Sequence, residues 1–306
     1  MRIADLQQPP CNASLMGVVK GTLDHYGLGC SEAEAFVLSG HAFVINIHEE
    51  LCPSGPYCWR NFRFVELLRN LGLRLEELAT VPPNAGRADR ERVEKLVRDC
   101  LDQGALCSVL NLDHQLALGY DDGGFILAQP WGEPGADTTP ARMSFGTWQE
   151  YGFGPPTTFF RLTRDERRPD ATAVDAALDF AVDAWRAPAQ FAEEGYGFGA
   201  DAYGNWLSAI DAGHAGEHGN WWNAVVWGEC RERAGDYFQA IAASEYGGGV
   251  DQQLARELAV DYRALAKLLL RASDKSATDA DKRRFVAEAR DLDAGCTERI
   301  AARAHR

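Results

Sequence analysis

Residues 113–132 read Asp113-His114-Gln115-Leu116-Ala117-Leu118-Gly119-Tyr120-Asp121-Asp122-Gly123-Gly124-Phe125-Ile126-Leu127-Ala128-Gln129-Pro130-Trp131-Gly132. Two apolar runs flank Asp121-Asp122-Gly123-Gly124. This pattern predicts a β-hairpin, because aspartate and glycine supply the turn conformations that join antiparallel strands. ALCSVLNL at 105–112 and TTFFRL at 157–162 add further strands. Upstream the period is helical. CNASLMGVVKGTLDHYG begins at Cys11, carries Leu15, Val18, Val19 and Leu23 on one face, is entered through Pro9-Pro10 and stops at Tyr26-Gly27. Ser31 with Glu34 makes a capping box before a second helix, which runs into FVLSGHAFVINI, whose conformation the period leaves open. Helices are also expected near 60–71 and 88–103. Helices first and an antiparallel sheet after is an α+β order, not alternating βαβ units.

The charged stretch RDERRPDAT at 164–172 separates this half from an alanine-rich one. It predicts two domains, 1–165 and an all-helical 170–306 packed on the first, with helices near 173–187, 200–211, 220–243, 251–273 and 279–304. Trp206, Trp221, Trp222 and Trp227 repeat at helical spacing and are expected in the core joining the two. The 306 residues are 46% hydrophobic and 25% charged, an ordinary globular composition. No apolar run approaches the roughly 20 residues of a membrane span, and MRIADLQQPPC lacks a signal-peptide core, so a soluble cytoplasmic protein is expected. With 31 Lys+Arg against 45 Asp+Glu the net charge is −14, which argues against nucleic acid as a partner.

Three residues can carry nucleophilic chemistry. Cys11 opens a helix, where unpaired N–H groups favour thiolate. A thiolate needs a base, itself oriented by a third group, and the hairpin offers His114 at the start of one strand and Gln129 at the end of the next. A cysteine opening a long helix, then Asp113-His114-Gln115-Leu116-Ala117-Leu118-Gly119-Tyr120, a hairpin and Gln129-Pro130-Trp131-Gly132 resemble the papain-like cysteine peptidase fold. The Cys-first layout and the helical second half are most similar to the N-terminal domain family of butirosin biosynthesis protein H, itself similar to bacteriocin-processing peptidases. The resemblance implies Cys11 as nucleophile, His114 as base and Gln129 as orienter. It also implies acyl transfer from a small-molecule or acyl-carrier-protein thioester to an amine or water, without a cofactor.

Two positions depart from the family pattern. Counting back from Gly119, the base falls on Asp113, and His114 comes one residue late; a one-residue slip in a strand turns a side chain to the opposite face, so either a bulge restores His114 or the base is lost. Gln129 stands where the family has Asn or Asp, and it carries no charge to stabilise imidazolium. The family's oxyanion glutamine falls on Asp5, with Gln7 and Gln8 the nearest substitutes. Asp113, His41 and His48 are alternative bases. His214-Ala215-Gly216-Glu217-His218 has the i, i+4 spacing of a zinc site but is broken by glycines, and Cys52 and Cys58 flank a turn suited to a local bridge or a metal, without a complete ligand set. No metal is therefore expected. The rival to an enzyme is a catalytically inactive papain-like scaffold that binds a small molecule or a protein, and self-association into a homo-oligomer is compatible with either.

Overall fold

Pro9 and Pro10 lack backbone N–H groups, and the chain turns helical only after them, in α1 (Ser14–His25). Next come α2 (Glu32–Leu38), β1 (Asn46–His48), α3 (Phe62–Leu67), β2 (Leu73–Val81) and α4 (Arg87–Asp102). A run of strands follows: β3 (Leu106–Asn111), β4 (Asp113–Asp121), β5 (Gly124–Leu127), β6 (Ala141–Ser144) and β7 (Thr157–Arg164). The rest is α5 (Ala171–Arg186), β8 (Tyr196–Phe198), α6 (Ala200–Asp211), α7 (His218–Ala243), α8 (Gln252–Ala272) and α9 (Asp279–Ala302). The computed structural model describes residues 1–130, 137–148, 154–167, 171–244 and 250–303. Among these, no helix is long and apolar enough to cross a membrane.

The fold is α+β, and its contacts divide into two units: Met1–Cys30 with Leu71–Arg168, and Ser31–Asn70 with Pro169–Arg306. This differs from a single break at 164–172, because the stretch 31–70 groups with the C-terminal helices.

In the first unit the strand order is β2-β7-β3-β4-β5-β6, antiparallel throughout. Val93, Val97, Cys100 and Leu101 of α4 pack with Cys107, Val109, Phe125 and Phe159 on one face of this sheet. Leu116 points the other way, onto α1, so closely that a Cβ on Gly21 would meet it at 2.8 Å. The turn at 121–124 is the expected hairpin, with Asp121 paired to Gly124 and the Gly123 N–H donating to the Asp121 carboxylate. Strand β2 was not expected from LRLEELATV, whose leucines and glutamates favour helix. It forms because Leu73 and Leu75 are buried while Arg74 and Glu76 face solvent, at a sheet edge bulged between Glu77 and Ala79.

In the second unit the ambiguous FVLSGHAFVINI divides into three pieces. Helix α2 ends at Leu38, a 3-10 turn covers His41–Phe43, and β1 pairs with β8. Gly40 makes the corner with φ +78, and a Cβ there would lie 2.5 Å from the Phe180 ring. The capping box is formed in both directions between Ser31 and Glu34. The turn is held from α7 by Arg231, whose guanidinium donates to the carbonyls of Ala42 and Val44, both at 2.8 Å, and to Asp293 of α9, also at 2.8 Å. Asp293 accepts in addition from the Tyr203 hydroxyl at 2.9 Å. Trp206, Trp222 and Trp227 are buried in this unit, with the Trp206 and Trp227 indoles donating to Asn220 and Asn223.

Candidate functional site

Cys11 lies ahead of α1 rather than inside its first turn. The helix starts at Ser14 and has no side-chain cap, so the expectation of a cysteine on the helix end moves by three residues. The dipole effect fades within one turn, which makes its hold on Cys11 weaker than the sequence implied. The Cys11 N–H donates to the Pro130 carbonyl at 3.3 Å, tying this segment to the end of the hairpin, and Cys11 is 1% exposed.

His114 is placed by β4. Its register with β3 is unbroken, Leu110 opposite His114 and Ser108 opposite Leu116, so His114 and Leu116 share a face. That face is the one packed on α1. Farther along, the pairing with β5 slips between Ala117 and Gly119, leaving Leu118 as the extra residue of a β-bulge. The slip reverses the parity counted back from Gly119. It is therefore His114, and not Asp113, that shares the face of Gly119, and Asp113 points to the opposite side.

The bulge has its own supports. Gly119 has φ +143, and Tyr120 N–H and Ile3 N–H donate to the carbonyls of Met1 and Leu118, so residues 1–3 run along this edge of β4. A Cβ on Gly119 would lie 2.4 Å from the Met1 carbonyl oxygen. Gly119→Ala is expected to cost about 1–3 kcal/mol through this overlap, seen as a lower urea midpoint with an unchanged slope.

The glutamines divide by task. Gln8 uses its amide as a strand would, Nε2 donating to the His114 carbonyl at 2.9 Å and Oε1 accepting from the Leu116 N–H at 2.7 Å. The His114 N–H donates to the Ser14 hydroxyl at 3.0 Å. Gln8 thus locks the segment before α1 against β4, and this amide is already committed. Gln7 is exposed, with its carbonyl against Gly21. Gln129 is half-buried beside Pro130, just past the end of β5. Trp131 and Gly132 of the motif lie outside the described residues.

The electrostatics of the base are decided by burial. His114 is 5% exposed, its ring 5.8 Å from that of Phe160, and desolvation pushes its imidazole down to about 3. It is neutral at physiological pH, so this arrangement holds no imidazolium to stabilise a thiolate.

Compared with known proteins, the chain matches no family model and no curated protein. The site therefore stands on its own geometry.

The remaining candidates fall elsewhere. His41 belongs to the second unit, enclosed by the rings of Phe36, Trp59, Phe64 and Trp227, with Nδ1 3.5 Å from the Cys230 sulfur. Cys230 is fully buried, and desolvation raises its thiol. Nothing in the sequence flagged this pair, because its members come from segments far apart in the chain. His214 pairs with Glu217 at 2.9 Å, and His218 stacks near Trp221 and Trp222. Among the described residues no three His, Cys, Asp or Glu side chains are gathered to hold a metal ion.

Proposed function

We propose that the first unit is a papain-like domain and that the protein is a cysteine-dependent acyl-transfer protein of the kind its sequence resembles. The observation that supports this most directly is the bulge at Leu118, which gives His114 the face toward α1 whose entry segment carries Cys11. In this reading the Cys11 sulfur attacks the carbonyl of a small-molecule or carrier-protein acyl donor. The neutral His114 imidazole accepts the thiol proton as the S–C bond forms, then returns a proton to the leaving group. An amine or water takes the acyl group in the second step. Residues 129–130 bound the site through the Pro130 carbonyl.

A second reading, a binding scaffold of the same build, is favoured by specific observations. The Gln8 amide and the Cys11 N–H, the nearest candidates for an oxyanion hole, are both engaged within the protein, and both Cys11 and His114 are buried. Incubation with an aryl thioester, followed by peptide mass mapping, separates the two. The enzyme reading expects an acyl adduct on Cys11 that is absent in Cys11→Ala and forms about 10²-fold more slowly or worse in His114→Ala. No adduct on Cys11, or one formed equally fast in a folded His114→Ala, would leave the scaffold.

A further inference from the structure

The loop between β1 and α3 carries two cysteines that neither the fold nor the proposed reaction uses. Cys30, Cys52 and Cys58 are partly exposed, whereas Cys11, Cys100, Cys107, Cys230 and Cys296 are buried, and of the three partly exposed cysteines Cys52 and Cys58 share one loop. The five residues between them, Pro53-Ser54-Gly55-Pro56-Tyr57, fold back on themselves, since Tyr57 N–H and Cys58 N–H both donate to the Ser54 carbonyl. Two asparagines pin the loop. Asn46 donates through its amide to the carbonyls of Gly55 and Cys58, at 2.8 and 2.9 Å, and Asn223 donates to the carbonyl of Cys52 at 3.2 Å.

The side chains inside this loop form one connected chain. The Ser54 hydroxyl donates to the Cys52 sulfur at 2.9 Å, and the Ser54 and Tyr196 hydroxyl oxygens are 2.6 Å apart. Burial first, and then interaction with the Cys58 side chain, raise the Tyr196 phenol. Cys52 and Cys58, six positions apart in sequence, therefore both neighbour the Ser54–Tyr196 hydroxyl pair. Because the Ser54 hydroxyl already donates to the Cys52 sulfur, Cys52 is the one assigned the attack.

We propose that Cys52 and Cys58 form a redox-active dithiol that is oxidised by low-molecular-weight disulfides, Cys52 attacking first and Cys58 resolving. In the first step the Cys52 thiolate bonds to one sulfur of the disulfide, the S–S bond breaks, and one small thiol leaves with the proton Cys52 gave up. In the second the Cys58 sulfur bonds to the Cys52 sulfur, the mixed disulfide breaks, and the second small thiol leaves with the Cys58 proton. Two cysteine thiols are oxidised to one disulfide, and one small disulfide is reduced to two thiols. Closure displaces the Ser54 hydroxyl from the Cys52 sulfur, so Tyr196, which contacts that hydroxyl and packs edge-on against His48 across the β1–β8 pair, is the residue that registers the change.

The test uses the full chain with oxidised glutathione as the probe, quenched by N-ethylmaleimide and mapped by mass spectrometry. The expected product is a Cys52–Cys58 disulfide that forms ahead of oxidation at any other cysteine and is reversed by dithiothreitol. Cys58→Ser is expected to stop at glutathione on Cys52, whereas Cys52→Ser should take up glutathione more slowly. Tyr196→Phe should leave the first step unchanged and slow the second. A mixed disulfide that persists on either cysteine of the wild type, faster oxidation at another cysteine, or no reaction at this pair would overturn the proposal.

Discussion

Replacing Arg231 by methionine is expected to lower the unfolding free energy by about 3–5 kcal/mol, the loss typical when one partner of a buried ion pair is removed. Arg231 and Asp293 expose only 1% and 5% of their side chains. Without the guanidinium, the Asp293 carboxylate keeps the Tyr203 hydroxyl as its side-chain donor among the described residues, and the carbonyls of Ala42 and Val44 lose the guanidinium. Each such loss strands a group already taken out of water. Urea denaturation followed by circular dichroism measures the change. Pairing the substitution with Asp293→Leu should recover part of it, because the double variant no longer buries an uncompensated charge. A loss below about 1 kcal/mol for the single variant would mean that water reaches this site.

The second large effect is a dependence of stability on pH that originates at His114. Its imidazole is held at about 3 in the folded chain, against 6.5 for an ordinary histidine. Between those values the unfolded chain binds a proton that the folded chain refuses. The contribution is thus complete above about pH 6.5 and is lost progressively as the pH falls towards 3. The slope approaches about 1.4 kcal/mol per pH unit for one proton. Subtracting the stability–pH curve of His114→Leu from that of the wild type isolates this residue from the acidic groups that titrate in the same range. A flat difference would show that the ring is hydrated in solution. It would also remove the objection that burial raises against His114 as a base.

The hairpin, most of the long helices and the α+β order were legible because each rests on a local signal: a period, a cap or a turn pair. Helices α4, α6, α8 and α9 begin and end within a few residues of where capping and spacing put them. What was not legible is what depends on distant partners. Strand β2 has a helix-former composition and is made a strand by its pairing with β7. The side of β4 on which His114 falls turns on a single extra residue, Leu118, and no feature of LALGY marks a bulge except the glycine after it. The meeting of His41 with Cys230, and of Cys58 with Tyr196, joins segments that only the tertiary fold brings together.

The interleaving of the two units has a consequence for how the protein is made. The chain crosses from one unit to the other after Cys30, after Asn70 and again near 168–169. A ribosome therefore delivers residues 31–70 long before the helices that complete their unit. Phe36, Val37, Phe64 and Leu68, all fully buried in the finished fold, must wait without their partners while the six strands of the first unit are synthesised. During that interval the nascent chain carries an exposed apolar segment that chaperones would bind and whose natural hazard is self-association. Translation halted after residue 167 should then yield a product that precipitates or stays chaperone-bound, although every strand of the large sheet is present in it.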